Sequence, residues 1–406
     1  MIMDAISKNT KNEKENKNEK QLSIHSKDNN KNENNESGNI IQNLKQKFEI
    51  SPSIGLENIG ATCYMNSTLQ CFCHIEKLVI FFKYNPQINS IIKNNTENLS
   101  YSFKLLIENL WPNNYNKLSK TKYFSPKEFK NKISKMNPLF EGIAANDAKD
   151  LVNFIIMTLH AELNKAKKQF IDNREIIDQR NKEFILNNFI KNFTENNQSI
   201  ISDLFYSTNY TITECASCHT KLYNYQIYFF IIFPLEEVRK FKYMNNINMF
   251  NFNNANINFD EVDIYDCFNY DRKIYYMDGE NSIYCNYCKA NCIGYITTHL
   301  VTGPEILILL LNRGKGIEFN IKINFYEELN LYNYIEYRGT GCDYKLIGVI
   351  THIGESSMSG HFIAYCRDPI SDKWKKYNDA IVNEINNFEN EVINFAMPYL
   401  LFYQKK

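Results

Sequence analysis

The chain has 406 residues, 44% of them apolar and 14% aromatic, with a formal charge of zero. That length builds one large domain or two ordinary ones, and the apolar share is enough for a core. A net charge of zero leaves no global field to draw in nucleic acid or an anionic membrane, so any partner must be read by local patches.

Residues 1–45 are rich in Asn, Lys, Glu and Ser and poor in large apolar side chains. Such a stretch buries too little surface to offset its ordering entropy, and a disordered tail is expected, with the folded domain over 46–406. The first ten residues carry no apolar leader core, and no apolar run of about 18 residues is long enough to span a bilayer. Eleven cysteines cannot all pair internally. They are expected to be reduced thiols and metal ligands, in the cytosol or the nucleus.

From Ile54 the texture changes. Gly55 to Gln70 reads G-L-E-N-I-G-A-T-C-Y-M-N-S-T-L-Q, with Thr62 placed to cap a helix over Cys63 to Phe72 or beyond. A cysteine opening a helix is a candidate nucleophile, because the helix N-terminus and a nearby histidine both favour the thiolate. Asn58, five residues earlier, has a side-chain amide suited to an oxyanion, though an Asn in a Gly-rich loop also serves as a turn residue. Asp147 to Leu163 has Leu151, Ile155, Leu159 and Leu163 at i, i+4 spacing, an amphipathic helix.

From about Leu204 the pattern turns strand-like. Runs at Tyr228–Phe233, Glu305–Leu311, Tyr344–Ile353, His361–Arg367 and Tyr399–Tyr403 are bounded by Gly, Pro or polar residues. Helices first and strands later make the chain α+β. The Asn-rich segment Lys240 to Asn258 reads as a loop insertion. Cys215-Ala-Ser-Cys218 and Cys285-Asn-Tyr-Cys288 are two C-x-x-C knuckles, whose four thiolates suit tetrahedral structural zinc. His219 and Cys292 lie close enough to compete as ligands.

His361, after Gly360, is the candidate general base, ahead of His352 and His160. Its glycine neighbour would let the backbone approach a substrate closely. Asn378 and Asp379 follow Trp374 and Tyr377. Only one of the two can bond the imidazole directly if they lie on a strand. A cysteine, a histidine and an Asn/Asp pair in that order are the parts of a thiol-protease triad.

The stretch around Cys63, the segment Asn146-Asp147-Ala148-Lys149-Asp150-Leu151, the stretch Y-K-L-I-G-V-I-T-H-I-G-E-S-S-M-S-G-H-F-I-A-Y-C-R and the terminal Y-L-L-F-Y resemble the ubiquitin-specific protease family. The resemblance covers roughly residues 54–404. It implies a papain-like peptidase fold of thumb, palm and zinc-ribbon fingers, the fingers over about 205–300. It implies hydrolysis of the bond after ubiquitin's C-terminal glycine, with ubiquitin and ubiquitinated proteins as partners and no catalytic cofactor. By that similarity Asn58 serves the oxyanion, Asn378 is the third triad member with Asp379 as its helper, and Asp147 faces basic residues of the ubiquitin tail. Asn146 stands where the family usually has Gln, and Asp150 where it has Glu. Leu311-Asn-Arg-Gly314 replaces the usual L-K-R-F. A catalytically silent ubiquitin-binding scaffold is the alternative expectation. A papain-like peptidase of general specificity fits less well with the two C-x-x-C pairs.

Overall fold

The computed structural model describes residues 53–93, 95–112, 123–166, 180–249, 261–314, 320–356, 359–394 and 397–406. The tail expected over 1–45, and the domain start at 46, lie outside them. Helices α1 (Cys63–Phe72), α2 (Glu76–Tyr84), α3 (Pro86–Lys93), α4 (Leu99–Leu110), α5 (Lys127–Met136) and α6 (Ala148–Leu163) form the first lobe. All ten residues of α1 are buried, because it lies between the other helices of the lobe and the large sheet. Its polar side chains find partners close by: Ser67 and Thr68 donate to the Tyr64 carbonyl, and Gln70 to that of Ile54.

Thr62 occupies the N-cap position of α1 but makes no side-chain cap bond. Its hydroxyl instead accepts from Ile59 N and donates to Asn58 Oδ1, which draws it across the turn and away from the helix. By contrast α6 starts as its sequence predicts. Asp147 accepts from Lys149 N at 2.9 Å, and Leu151, Ile155, Leu159 and Leu163 are all buried.

Two further helices, α7 (Lys182–Asn196) and α8 (Ile200–Phe205), lead to the strands. The short pair β1 (Gly55–Leu56) and β2 (Tyr123–Phe124) lies back in the helical lobe. Beyond α8 come β3 (Ser207–Cys215), β4 (Lys221–Tyr228), β5 (Ile231–Pro234), α9 (Leu235–Met249), β6 (Glu261–Asp263), α10 (Ile264–Asp271), β7 (Tyr275–Met277), β8 (Ile283–Cys285), β9 (Ala290–Cys292), β10 (Gly294–Leu300), β11 (Ile306–Asn312), β12 (Lys322–Asn324), β13 (Glu328–Asn330), β14 (Asp343–Ser356), β15 (Ser359–Arg367), β16 (Trp374–Asn378), β17 (Ile381–Glu384) and β18 (Pro398–Lys405).

The large sheet runs β17-β16-β15-β14-β18-β11-β5, with β13 beside β14. It separates two apolar cores. On β11, Ile306, Ile308 and Leu310 join the core of the helical lobe, while Leu307, Leu309 and Leu311 join the core on the far side. Burial on both faces is why this strand is a continuous apolar run. On β14 the alternation slips. Leu346 and Val349 reach the same core because a bulge opposite β18 falls between Leu346 and Gly348. Just past β11, Arg313 is buried and donates to the carbonyls of Pro398 and Ile321, and Gly314 turns at φ +67°.

A second sheet, β4-β3-β10-β7, carries Cys215-x-x-Cys218 where β3 turns into β4, and the separate β8–β9 hairpin carries Cys285-x-x-Cys288 in its own turn. The α+β architecture of helical thumb, sheet palm and projecting fingers is therefore the one adopted. Two local expectations are corrected. The run Tyr228–Phe233 is not one strand, since the chain bends at Phe229 and Phe230 between β4 and β5. The Asn-rich segment begins as helix, because Lys240 to Met249 continues α9; residues 250–258 lie outside the described ones. Leu235 and Val238 bury one side of α9, and Glu236 pairs with Arg239 and Lys240 one turn on, which offsets the weak propensity of its asparagines.

Candidate active site and cysteine cluster

Gly60 at φ +122° and Ala61 at φ +46° swing the chain into α1, so that Cys63 is its first residue. The thiol is buried against β15, within hydrogen-bonding reach of the Phe362 backbone. Burial pushes its titration above the ordinary cysteine value; the Phe362 contact and the Tyr64 backbone pull it down, and the Asp379 charge raises it again. Desolvation thus outweighs the helix N-terminus, and the lowered value expected from sequence is not what this arrangement produces.

His361 is the third residue of β15, two strands from the sheet's edge. Its Nε2 lies 2.6 Å from Asn378 Oδ1. An amide oxygen only accepts, so Nε2 carries the proton and Nδ1 is the basic nitrogen. Asp379 Oδ2 stands 3.8 Å from the same Nε2. The strand argument that separates Asn378 from Asp379 holds in a different form. β16 ends at Asn378, and Asp379 turns away at φ +50°.

Asp379 is gripped from three directions. Asn58 Nδ2 donates to Oδ2 at 2.9 Å, Asn66 Nδ2 to Oδ1 at 2.8 Å, and Leu56 N to its carbonyl at 2.9 Å. Gly55 makes this approach possible, since a Cβ there would sit 2.4 Å from the Ala380 carbonyl oxygen. Asn58 does turn chemistry as well, its Oδ1 accepting from Gly60 N and Thr62 N. One Nδ2 hydrogen is committed to Asp379, and a primary amide has two.

Gly360 has a different neighbour from the one expected. A Cβ at that position would meet the His352 ring at 2.5 Å and the Ile353 carbonyl at 2.8 Å. The glycine makes room for His352, whose ring packs on Phe362 with centroids 4.5 Å apart. His160, the other rival, bonds Ser199 on the far part of the thumb. Asp147 caps α6 and accepts from Tyr399 Oη at 2.8 Å on both oxygens, and Lys149 Nζ sits 2.9 Å from Oδ2. Asn146 Nδ2 reaches Tyr64 Oη at 3.4 Å, and burial raises the Asp150 carboxyl above its usual range.

Sequence reasoning missed Asn66 and Tyr399 as members of this network. Both lie inside the quoted motifs, but only the fold shows their partners, 313 and 252 positions away. It also missed His74, buried under the site between the Gln70 carbonyl and Tyr377 Oη, the residue before Asn378. Burial brings its titration down to about 4, so it is neutral at pH 7.

At the end of the fingers, the sulfurs of Cys215, Cys218, Cys285 and Cys288 all lie within 4.8 Å of one another. Cys218 and Cys285 are 3.6 Å apart, and Cys215 and Cys288 4.0 Å. Tetrahedral zinc with Zn–S near 2.3 Å asks for about 3.8 Å between sulfurs. The knuckles are alike: each ends in a left-handed residue, His219 or Lys289, whose N–H bonds the first cysteine's carbonyl at 2.8 Å. His219 turns its ring to Glu214, and Cys292 Sγ lies 3.5 Å from the Ala290 carbonyl, so neither joins the four.

Residues 54–403 match the family described as ubiquitin carboxyl-terminal hydrolase. The chain belongs to that family. Among curated proteins it is similar to ubiquitin carboxyl-terminal hydrolase 2 of Rattus norvegicus, 26% identical over 363 residues, covering 86% of this chain and 53% of the relative. It is also similar to ubiquitin carboxyl-terminal hydrolase 21 of Homo sapiens, 23% identical over 381 residues, covering 87% and 62%. The chain spans about half the length of the first curated relatives it matches. Among solved structures, the SAGA DUB module of Ubp8, Sgf11, Sus1 and Sgf73 bound to monoubiquitin shares the fold, with a TM-score of 0.62 at 19% identity over 89% of this chain and 70% of that one. The same module bound to ubiquitin aldehyde gives 0.61.

Proposed function

We propose that this chain is a deubiquitinase that cleaves the isopeptide or peptide bond after ubiquitin's C-terminal glycine. The observation that carries this reading is that Cys63, at the start of α1, packs against the Phe362 backbone and lies in the field of Asp379, the chain neighbours of the hydrogen-bonded His361 and Asn378 on adjacent palm strands. His361 Nδ1 takes the thiol proton as Cys63 Sγ attacks the carbonyl carbon. The backbone N–H of Cys63 and the second Nδ2 hydrogen of Asn58 serve the oxyanion. Collapse breaks the C–N bond, and the proton on His361 goes to the leaving amine. Water then hydrolyses the thioester, His361 acting as base. The buried thiol is a poor nucleophile alone, so transfer to His361 must accompany attack.

Asp147 would meet basic groups of the substrate tail, with ubiquitin and ubiquitinated proteins as partners. Cys215, Cys218, Cys285 and Cys288 would hold a structural zinc, which stiffens the fingers and takes no part in the chemistry. A reactive thiol and four ligand thiols both require a reducing compartment, which fits the cytosol or nucleus.

A fluorogenic ubiquitin C-terminal amide tests the reading. Turnover is expected, together with inertness toward short generic peptides. An electrophile at ubiquitin's C-terminus should label Cys63 alone, and Cys63→Ala should abolish both turnover and labelling. Turnover that survives in Cys63→Ala would overturn it.

A further inference from the structure

The Asp147 carboxylate holds three hydrogen-bond donors, and two of them cannot leave. Lys149 N is fixed by the first turn of α6, and the Tyr399 phenol is held on β18. The third is the Lys149 ammonium, 2.9 Å from Oδ2. Its side chain is 45% exposed and that of Asp147 31%. An ion pair this exposed is weak and screened by water, so it exchanges readily with another cation. Lys149 also lies in the field of Asp150, and both carboxylates favour its charged form. Asp150, Tyr399 and His352 also lie in the field of Asp147; burial raises the first two and keeps His352 below its ordinary value.

Any cationic group of a substrate that approaches Asp147 therefore meets an ammonium already in place. We infer that Lys149 is an internal competitor for the Asp147 carboxylate and sets how strongly this site weights basic residues in the substrate's tail. The inference rests on the proposed ubiquitin hydrolysis and adds a specificity-determining residue to it. Removing the competitor leaves Asp147 and Asp150 with no neutralising side chain between them. Binding of a basic tail should then tighten, while the reacting atoms are undisturbed.

The test uses the full chain and two probes: the fluorogenic ubiquitin amide, and the same probe with the basic residues of its tail replaced by neutral ones. Lys149→Gln should lower KM on the native probe roughly two- to fivefold, the range an exposed pair commands, with kcat within twofold. The gain should vanish on the neutral-tail probe, and again in an Asp147→Asn background, where there is nothing to compete for. Lys149→Arg should behave as wild type. An unchanged KM for Lys149→Gln, or the same decrease on both probes or in the Asp147→Asn background, would overturn the competition. The first outcome means no effect, and the second a general charge effect. Absence of any turnover by the wild-type chain would instead remove the reading on which the inference stands. Thermal unfolding of Lys149→Gln separates a folding loss from a binding change.

Discussion

At the scale of single residues, Asn58 and Gly360 are the sharpest cases. Asn58 is at once a turn residue and a donor toward Asp379. If its remaining amide hydrogen serves the oxyanion, Asn58→Ala should lower kcat by about 100-fold or more and move KM much less. Steady-state kinetics on the fluorogenic amide separates the two, and a change confined to KM would return Asn58 to turn chemistry alone. Gly360→Ala tests the packing of His352. The added methyl has no room against the ring or the Ile353 carbonyl, so the start of β15 must shift and carry His361 with it. A loss of about 1–3 kcal/mol in stability is expected, with a fall in kcat/KM. Ordinary unfolding and turnover would mean that the strand absorbs the methyl. These residues also show what was legible. Cys63 and His361 stand out because their chemistry needs particular immediate neighbours. Asn66, Tyr399 and the Gly360–His352 contact do not, because their meaning lies in partners that only the fold brings near.

At the scale of elements, periodicity carried α6 and the palm strands. The side chains of β11 divide between two cores, so no polar residue interrupts the run, and its burial on both faces is readable. Periodicity failed at α9, where asparagines read as loop while Leu235, Val238 and the Glu236 pairs make a helix. It also gave no sign of how β15 and β16 are locked together. Asp368, just after β15, and Lys375, on β16, form a buried ion pair at 2.8 Å, with side chains 0% and 4% exposed. Burial alone would raise the Asp368 carboxyl; the Lys375 ammonium and the N–H groups of Ile370 and Ser371 outweigh it and hold the carboxyl below its ordinary value. A depressed carboxyl contributes stability above its unfolded value, near 3.9, and loses it as pH falls through the folded value. Urea midpoints should therefore drop in wild type below about pH 4. Asp368→Asn, which removes the ammonium's carboxylate partner and leaves its hydrogen bond to Ser53, should be less stable at pH 7 by about 3–5 kcal/mol and show a shallower acid decline. Parallel acid profiles for the two proteins would mean that this pair does not govern the loss.

At the scale of the whole molecule, the two knuckles are 67 positions apart in the chain and adjacent in space. Each C-x-x-C was visible alone, but the pairing of β3 with β10, Cys215 opposite Gly294, is what brings the pairs together. Within that end of the fingers the buried apolar set is small: Cys215, Cys285 and Cys292, with Ile283 against them. With so little packing, the tip is expected to draw local stability from a metal on the four thiols. One Zn²⁺ per chain is expected in purified protein, by elemental analysis. Cys285→Ala, or a chelator, should lower the thermal midpoint, and should raise KM for ubiquitin substrates if the fingers take part in holding them. The thiol of Cys63 is anchored in the other lobe, on α1 and β15, so its alkylation rate should stay within about twofold of wild type if the two regions are independent. A fully active preparation without bound zinc would show that the four thiols hold the fingers by packing alone. A fall in Cys63 reactivity matching the loss of zinc would show instead that the fingers and the catalytic lobe fold as one cooperative unit.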